Sequence, residues 1–245
     1  MTVSFKSAFL PLALTAALSF GAVGTASADA LTENFDNGVP ADWTIVNNSI
    51  PEGGTSWFQG SVAQFPAQAG AGNSFIAANF NSGSGLANLS TWLILPTSTY
   101  VNGDTLSFYT RTAAESLFPD NLEVRFSTVG GTDVGTDDTS VGTFSTLLLS
   151  VNPDETFGTY PEAWTQYSLT LSGLTGATNG AFAFRYVVAE GGTEGIKSNY
   201  VALDSLNITS TATGISPVPE METYLMMAAG LGLVGWMRKR KARAA

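Results

Sequence analysis

Alternation of apolar and polar residues recurs through the middle of the chain. In "LEVRFS", Leu122, Val124 and Phe126 fall on one face and Glu123, Arg125 and Ser127 on the other, the pattern of a half-buried strand. "DTLSFYTR" groups Leu106, Phe108 and Thr110 in the same way. "QYSLTLS" groups Tyr167, Leu169 and Leu171, and "AFAFRYVV" groups Phe182, Phe184 and Tyr186. Clusters of Gly, Asn, Asp, Ser and Thr punctuate these runs as turns do. No segment between the two ends has a 3.6-residue period. Many short strands with Gly-rich turns predict an all-β fold, a β-sandwich of the jelly-roll or a related Greek-key kind.

The ends of the chain show another pattern. Lys6 precedes a mostly apolar stretch, Ala8 to Ala22, and Ala26-Ser27-Ala28 supplies the small residues of a signal-peptidase site. Residues 1–28 therefore read as a secretory signal peptide. A core helix fits less well, because the stretch has one charge and no polar face. "TSTATGISP", 209–217, has the composition of a linker, which places one folded domain at 29–208. From Tyr224 to Met237 nothing is charged, yet the run is shorter than the roughly 20 residues an untilted helix needs to cross a bilayer. Arg238, Lys239, Arg240, Lys241 and Arg243 come directly after it and would hold the C-terminus in the cytoplasm. The expectation is an exported precursor held transiently in the inner membrane by a transmembrane-like helix outside the domain.

Composition removes whole classes of chemistry. There is no cysteine, hence no disulfide, thiolate nucleophile or thiolate metal site, and no histidine, hence no Ser-His-Asp system and no imidazole-ligated zinc. Between the two ends only Arg111, Arg125, Arg185 and Lys197 are basic, so the domain is strongly acidic. Such a surface repels phosphate backbones, which argues against nucleic acid as a partner and for cations or neutral sugars. Acidity that merely keeps an exported protein soluble is the plainer alternative.

Two resemblances rest on particular residues. Val218-Pro219-Glu220, a short apolar stretch and a terminal basic cluster resemble the PEP-CTERM sorting signal, with Pro219-Glu220-Met221 standing where that family has Pro-Glu-Pro. The resemblance implies processing by an exosortase, after signal peptidase at the other end. It also implies a Gram-negative envelope or extracellular matrix, and association with exopolysaccharide or biofilm. In the domain, "ENFDNGVPADW", "STWLILP", "DTLSFYTR", "LEVRFSTVGG", "AFRYV" and "NYVALDSLNI" occur in an order similar to the choice-of-anchor J domain, a relative of cleaved-adhesin and MAM domains. This resemblance covers Glu33 to Ile208 and implies a calcium-stabilised jelly roll that is not an enzyme.

Period-2 geometry supplies candidate metal ligands. In "LTENF", Glu33 shares a face with Leu31 and Phe35, and in "YVALDSLNI", Asp204 is expected to share one with Tyr200, Ala202, Leu206 and Ile208. A carboxylate among apolar neighbours needs a partner, and a bound cation or a pairing of Asp204 with Arg185 or Lys197 would provide one. Hard oxygen ligands without His or Cys select calcium over zinc. In the resembling jelly rolls the first and last strands share a calcium, which matches Glu33 and Asp204, with Asp36 and backbone carbonyls as further ligands. Asp133, Asp137 and Asp138 lack EF-hand spacing and read as a solvated turn, as do Asp154 and Glu155. A glycosidase needs two carboxylates flanking a cleft, and an acidic chain always offers two, so abundance alone carries little. Trp43, Trp92, Phe65, Tyr160 and Trp164 read mainly as core. Trp57 and Phe58, beside Gly53-Gly54, are the candidates for an exposed ligand contact. The leading reading is a non-catalytic exported surface or matrix protein, with a carbohydrate-binding module as alternative and a glycoside-active enzyme behind both.

Overall fold

The computed structural model describes residues 30–211. The signal peptide, the later part of the linker and the sorting-signal residues Val218, Pro219 and Glu220 lie outside the described residues. Thirteen strands are described, in the order β1 (Leu31–Glu33), β2 (Thr44–Asn47), β3 (Ile50–Glu52), β4 (Phe58–Gln59), β5 (Ile76–Asn79), β6 (Gly83–Ile94), β7 (Ser98–Tyr100), β8 (Thr105–Arg111), β9 (Leu122–Ser127), β10 (Thr146–Val151), β11 (Thr165–Thr170), β12 (Thr178–Gly191) and β13 (Tyr200–Thr209). A 3₁₀ turn, Phe80–Ser82, joins β5 to β6.

The strands form two antiparallel sheets packed as a jelly-roll β-sandwich. One runs β11, β8, β13, β5, β4 with β1 added on β13; the other runs β10, β9, β12, β6, β2 with β3 on β6 and β7 on β12. The alternation read from the sequence sets the inner faces. Leu106 and Phe108 from one sheet meet Leu122, Val124, Phe126, Phe182, Phe184 and Tyr186 from the other in a single buried core. Phe108 and Phe184 cross between the sheets edge to face, 4.9 Å apart, the geometry that ring quadrupoles prefer.

Each sheet is also covered on its outer face. Over the first lies the 60–75 segment, whose Phe65 and Phe75 pack with Ala77, Tyr200 and Ala202. Gly60 is required there, since a β-carbon would stand 2.2 Å from the Phe75 ring. Over the second lies the 128–145 segment, with Val134 and Phe144 on Trp92, Ile94, Ala181 and Ala183. Because both faces of β6 and β12 are buried in this region, their sequences depart from simple alternation.

Two expectations need correction. A bulge interrupts β13 between Asp204 and Asn207, and Ser205 takes a left-handed φ of 50°. Val201 and Leu203 face the core before the bulge, and Leu206 and Ile208 face it after. Asp204 is thereby left on the outer side with Tyr200 and Ala202, away from Leu206 and Ile208. The domain also runs past Ile208: Thr209 belongs to β13, and the Thr211 N–H and Ser210 Oγ bond to the buried Asp104. The first residues of the expected linker are therefore part of the fold.

Candidate functional site

The register of β1 on β13 sets Leu31 against Ile208 and Glu33 against Leu206. First and last strands are thus neighbours, and Glu33 stands close along the ladder to Asp204. Asp204 is fully buried, and its carboxylate accepts the N–H groups of Gln68 (2.7 Å), Ala69 (3.2 Å) and Ser205. Burial raises its pKa and these N–H donors pull it back. Glu33 turns its Oε1 onto the Phe35 N–H at 2.6 Å, and exposed Asp36 places Oδ1 beside Gly70, 3.0 Å from where a β-carbon would stand. Asp204 and Asp36 therefore lie against the 66–74 loop, while the bond Glu33 makes is to Phe35. Among the described residues, however, no group of three acidic side chains has the spacing of a metal site. The partners of Asp204 are backbone N–H groups and the Ser205 hydroxyl; Arg185 and Lys197 are engaged elsewhere.

Arg185 is buried over the Trp92 ring, 4.9 Å from its centroid, and bonds Glu123 (3.3 Å), Ser90 and the Asp138 carbonyl. Burial lowers its pKa and Glu123 opposes the shift. Lys197 bonds Glu155 at 2.8 Å and reaches Glu190 at 3.6 Å, and those glutamates hold its pKa above the usual value.

A second buried carboxyl, unmarked by any sequence motif, sits at the end of the sandwich where β13 begins. Asp120 accepts the Tyr186 hydroxyl (2.6 Å), the Thr112 hydroxyl (2.9 Å) and the Asn199 N–H (2.7 Å), so one side chain joins β12 of one sheet to the residue just after β8 and the residue just before β13 of the other. Burial pushes its carboxyl up to about 6, against the downward pull of these donors. Beside it, Tyr160 and Tyr186 are driven well above the ordinary phenol value by burial. Its only hint in the sequence is an acid, Asp120-Asn121, directly before the apolar face of β9.

A cavity of about 200 Å³ is lined by both Asp138 and Glu155, but Glu155 is already held by Lys197 and by the Ala189 N–H at 2.9 Å. Asp137, next to Asp138, is held down at about 2 by hydrogen bonds from Thr139 and Ser140, the local bonding of a turn. The solvated-turn reading of this loop agrees with that geometry.

Trp57 requires a further correction. It is 5% exposed, packs in the main core and points Nε1 at the Thr91 carbonyl, so it offers nothing to a ligand. The glycines beside it turn the chain inward: Gly53 has no room for a β-carbon beside the Asn81 and Ser82 backbone. Phe58 is half-buried against Tyr200, ring centroids 6.0 Å apart. Exposed apolar residues occur instead at the end of the sandwich where β13 begins. Phe118 (43% exposed), Leu117 and Ile196 lie there, and a cavity of about 180 Å³ is lined by Phe80, Phe118, Gly192, Thr193, Gly195, Ser198 and Asn199. Sequence reasoning missed this place because its residues come from three separate turns.

No family model and no curated protein matches the chain. Among solved structures it is similar to the K1 cleaved adhesin domain of Lys-gingipain from Porphyromonas gingivalis W83, at 22% identity over 74% of this chain and 98% of that one, with a TM-score of 0.53. The K3 cleaved adhesin domain of the same protein is similar at 19% identity, over 73% and 98%, with a TM-score of 0.48. TmCBM61, solved with β-1,4-galactotriose, shares 11% identity over 72% and 93%, with a TM-score of 0.42. The first of these likenesses shows that the domain has the cleaved-adhesin fold, as the sequence resemblance implied.

Proposed function

We propose that the chain is a non-catalytic exported protein of the cell surface or extracellular matrix, sorted through its C-terminal signal by an exosortase and associated with exopolysaccharide. The observation that carries the reading is the use made of buried carboxyls. Asp104, Asp120 and Asp204 each spend their oxygens on backbone N–H groups and hydroxyls that hold strands and loops together. Acids used this way organise a scaffold, their oxygens engaged in structural bonds and not poised as a general acid opposite a base. Intact-mass measurement of the extracellular protein tests the sorting: it should lack the residues after about Pro219. A full-length C-terminus on the released form counts against it.

Calcium belongs to the same proposal, at Glu33, Asp36 and Asp204 with backbone carbonyls. An ion there would have to displace N–H bonds now made by Phe35, Gln68 or Ala69. A second reading, a carbohydrate-binding module, is favoured by the cavity at Phe80 and Phe118, where two rings stand beside Ser198 and Asn199. Retention of the protein on its own polysaccharide, lost in Phe118→Ala at an unchanged melting temperature, would establish that reading. Turnover of glycans abolished by one acid-to-amide change would overturn both.

A further inference from the structure

β10 and β11 are consecutive in the chain and each ends its sheet. Phe108 of β8 crosses to Phe184 of β12, and Trp57, next to β4, reaches Thr91 of β6, so the two sheet orders run side by side and β10 and β11 share one flank. Each strand is six residues long with a single neighbour, which leaves a row of outward N–H and C=O groups along that flank. The opposite side closes on β2 and β4, four and two residues long, too short to template another chain.

The flank is also uncharged. "TLLLSV" and "TQYSLT" contain no Asp, Glu, Lys or Arg, and nothing from Thr139 to Pro153 is charged. Edge strands are commonly guarded by lysine, an inward-pointing charge, an internal proline or a bulge; of these β10 has one bulge, between Leu147 and Leu149, and no charge or proline. The core shows through between the two strands. Leu148, Leu149, Tyr167 and Leu169 pack on it while only partly buried, and Leu147 is 48% exposed.

We infer that a second copy of this chain docks on the flank, with β10 pairing antiparallel to β10 of the copy about a two-fold axis. Such pairing is self-complementary, since each outward donor of one strand meets an acceptor of the other. Charge selects this occupant and this place. Elsewhere the domain is acidic, with Arg125, Arg185 and Lys197 already paired to its own glutamates, so two copies approach with least repulsion over the neutral strands. A basic partner finds no carboxylate on β10 or β11, and a polysaccharide brings no backbone ladder to match theirs.

Sedimentation of the purified protein over a wide concentration range tests this. Reversible dimers are expected, tightening as salt screens the repulsion between acidic copies. Leu147→Glu should weaken dimerisation roughly tenfold or more at an unchanged melting temperature. Leu117→Glu, exposed at the end where β13 begins, should leave it unchanged. A monomer at every concentration overturns the proposal, as does a dimer broken by Leu117→Glu and spared by Leu147→Glu. Polysaccharide retention by a monomeric protein, lost in Leu147→Glu, would overturn it in favour of a glycan. If Leu147→Glu lowers the melting temperature, hydrogen exchange of the wild-type β10 amides decides: protection that rises with concentration supports the pairing, and protection independent of concentration refutes it.

Discussion

At Asp120 a carboxyl is kept dry by two tyrosines and a strand start, and the consequence can be titrated. Its folded pKa near 6 lies above the ordinary aspartate value of about 4, so folding favours the protonated form. That contribution is present in full below the unfolded value and is lost as pH rises through about 6, on the order of 2–3 kcal/mol for this residue alone. Other carboxylates titrate nearby, so the comparison needs a reference. Asp120→Asn mimics the protonated side chain, and the stability of the wild type relative to this variant should fall between pH 4.5 and pH 7 by about 2 kcal/mol in urea unfolding. A difference independent of pH would show that Asp120 is ionised throughout. Trp57 belongs to the same scale: Trp57→Ala should cost about 3–5 kcal/mol as a core truncation. Loss of glycan retention in that variant would therefore report unfolding rather than a lost contact.

Elements differ in how plainly their sequences announce them. β8, β9 and β11 were legible because each buries one face against the opposite sheet and leaves the other less buried, which imposes a period of two, and β12 because Phe182, Phe184 and Tyr186 alternate with Ala181, Ala183 and Arg185 although both its faces are buried. β6 was not, because its first residues, Gly83-Ser84-Gly85, look like a turn and its last are buried on both faces. The metal candidates were half legible. Pairing of the first and last strands brings Glu33 and Asp204 to one region, but a period of two cannot foresee the bulge that turns Leu206 and Ile208 to the face opposite Asp204. The calcium proposal is tested on this strand pair. Calcium should raise the melting temperature and chelation lower it, with Asp204→Asn or Glu33→Gln removing most of the difference. Identical melting curves with and without chelator, and no calcium by elemental analysis, would dismiss the ion. Gly192 offers a separate check on the packing of the turn after β12 against the start of β6. At φ 90°, a β-carbon there would stand 2.4 Å from the Gly85 carbonyl, so Gly192→Ala should lower stability by more than the roughly 1 kcal/mol of a simple glycine exchange.

For the whole molecule, the decisive arrangement is the latch at the C-terminal end of the domain. Asp104 receives the Val101 N–H from one side and Ser210 and Thr211 from the other, tying the end of β13 to the turn before β8. A chain ended at Ile208 should therefore melt several degrees below one ended at Thr211, read by calorimetry. β13 itself lies inside its sheet, hydrogen-bonded to β8 and β5 and, near its end, to β1. A tether pulling from Thr211 against a load held at the opposite end of the sandwich would draw β13 along its own axis. The ladders on both sides would then bear the force together in shear, instead of opening one bond at a time as a peeled edge strand does. A pull applied at Thr211 would therefore meet two ladders at once, since β13 has neighbours on both sides.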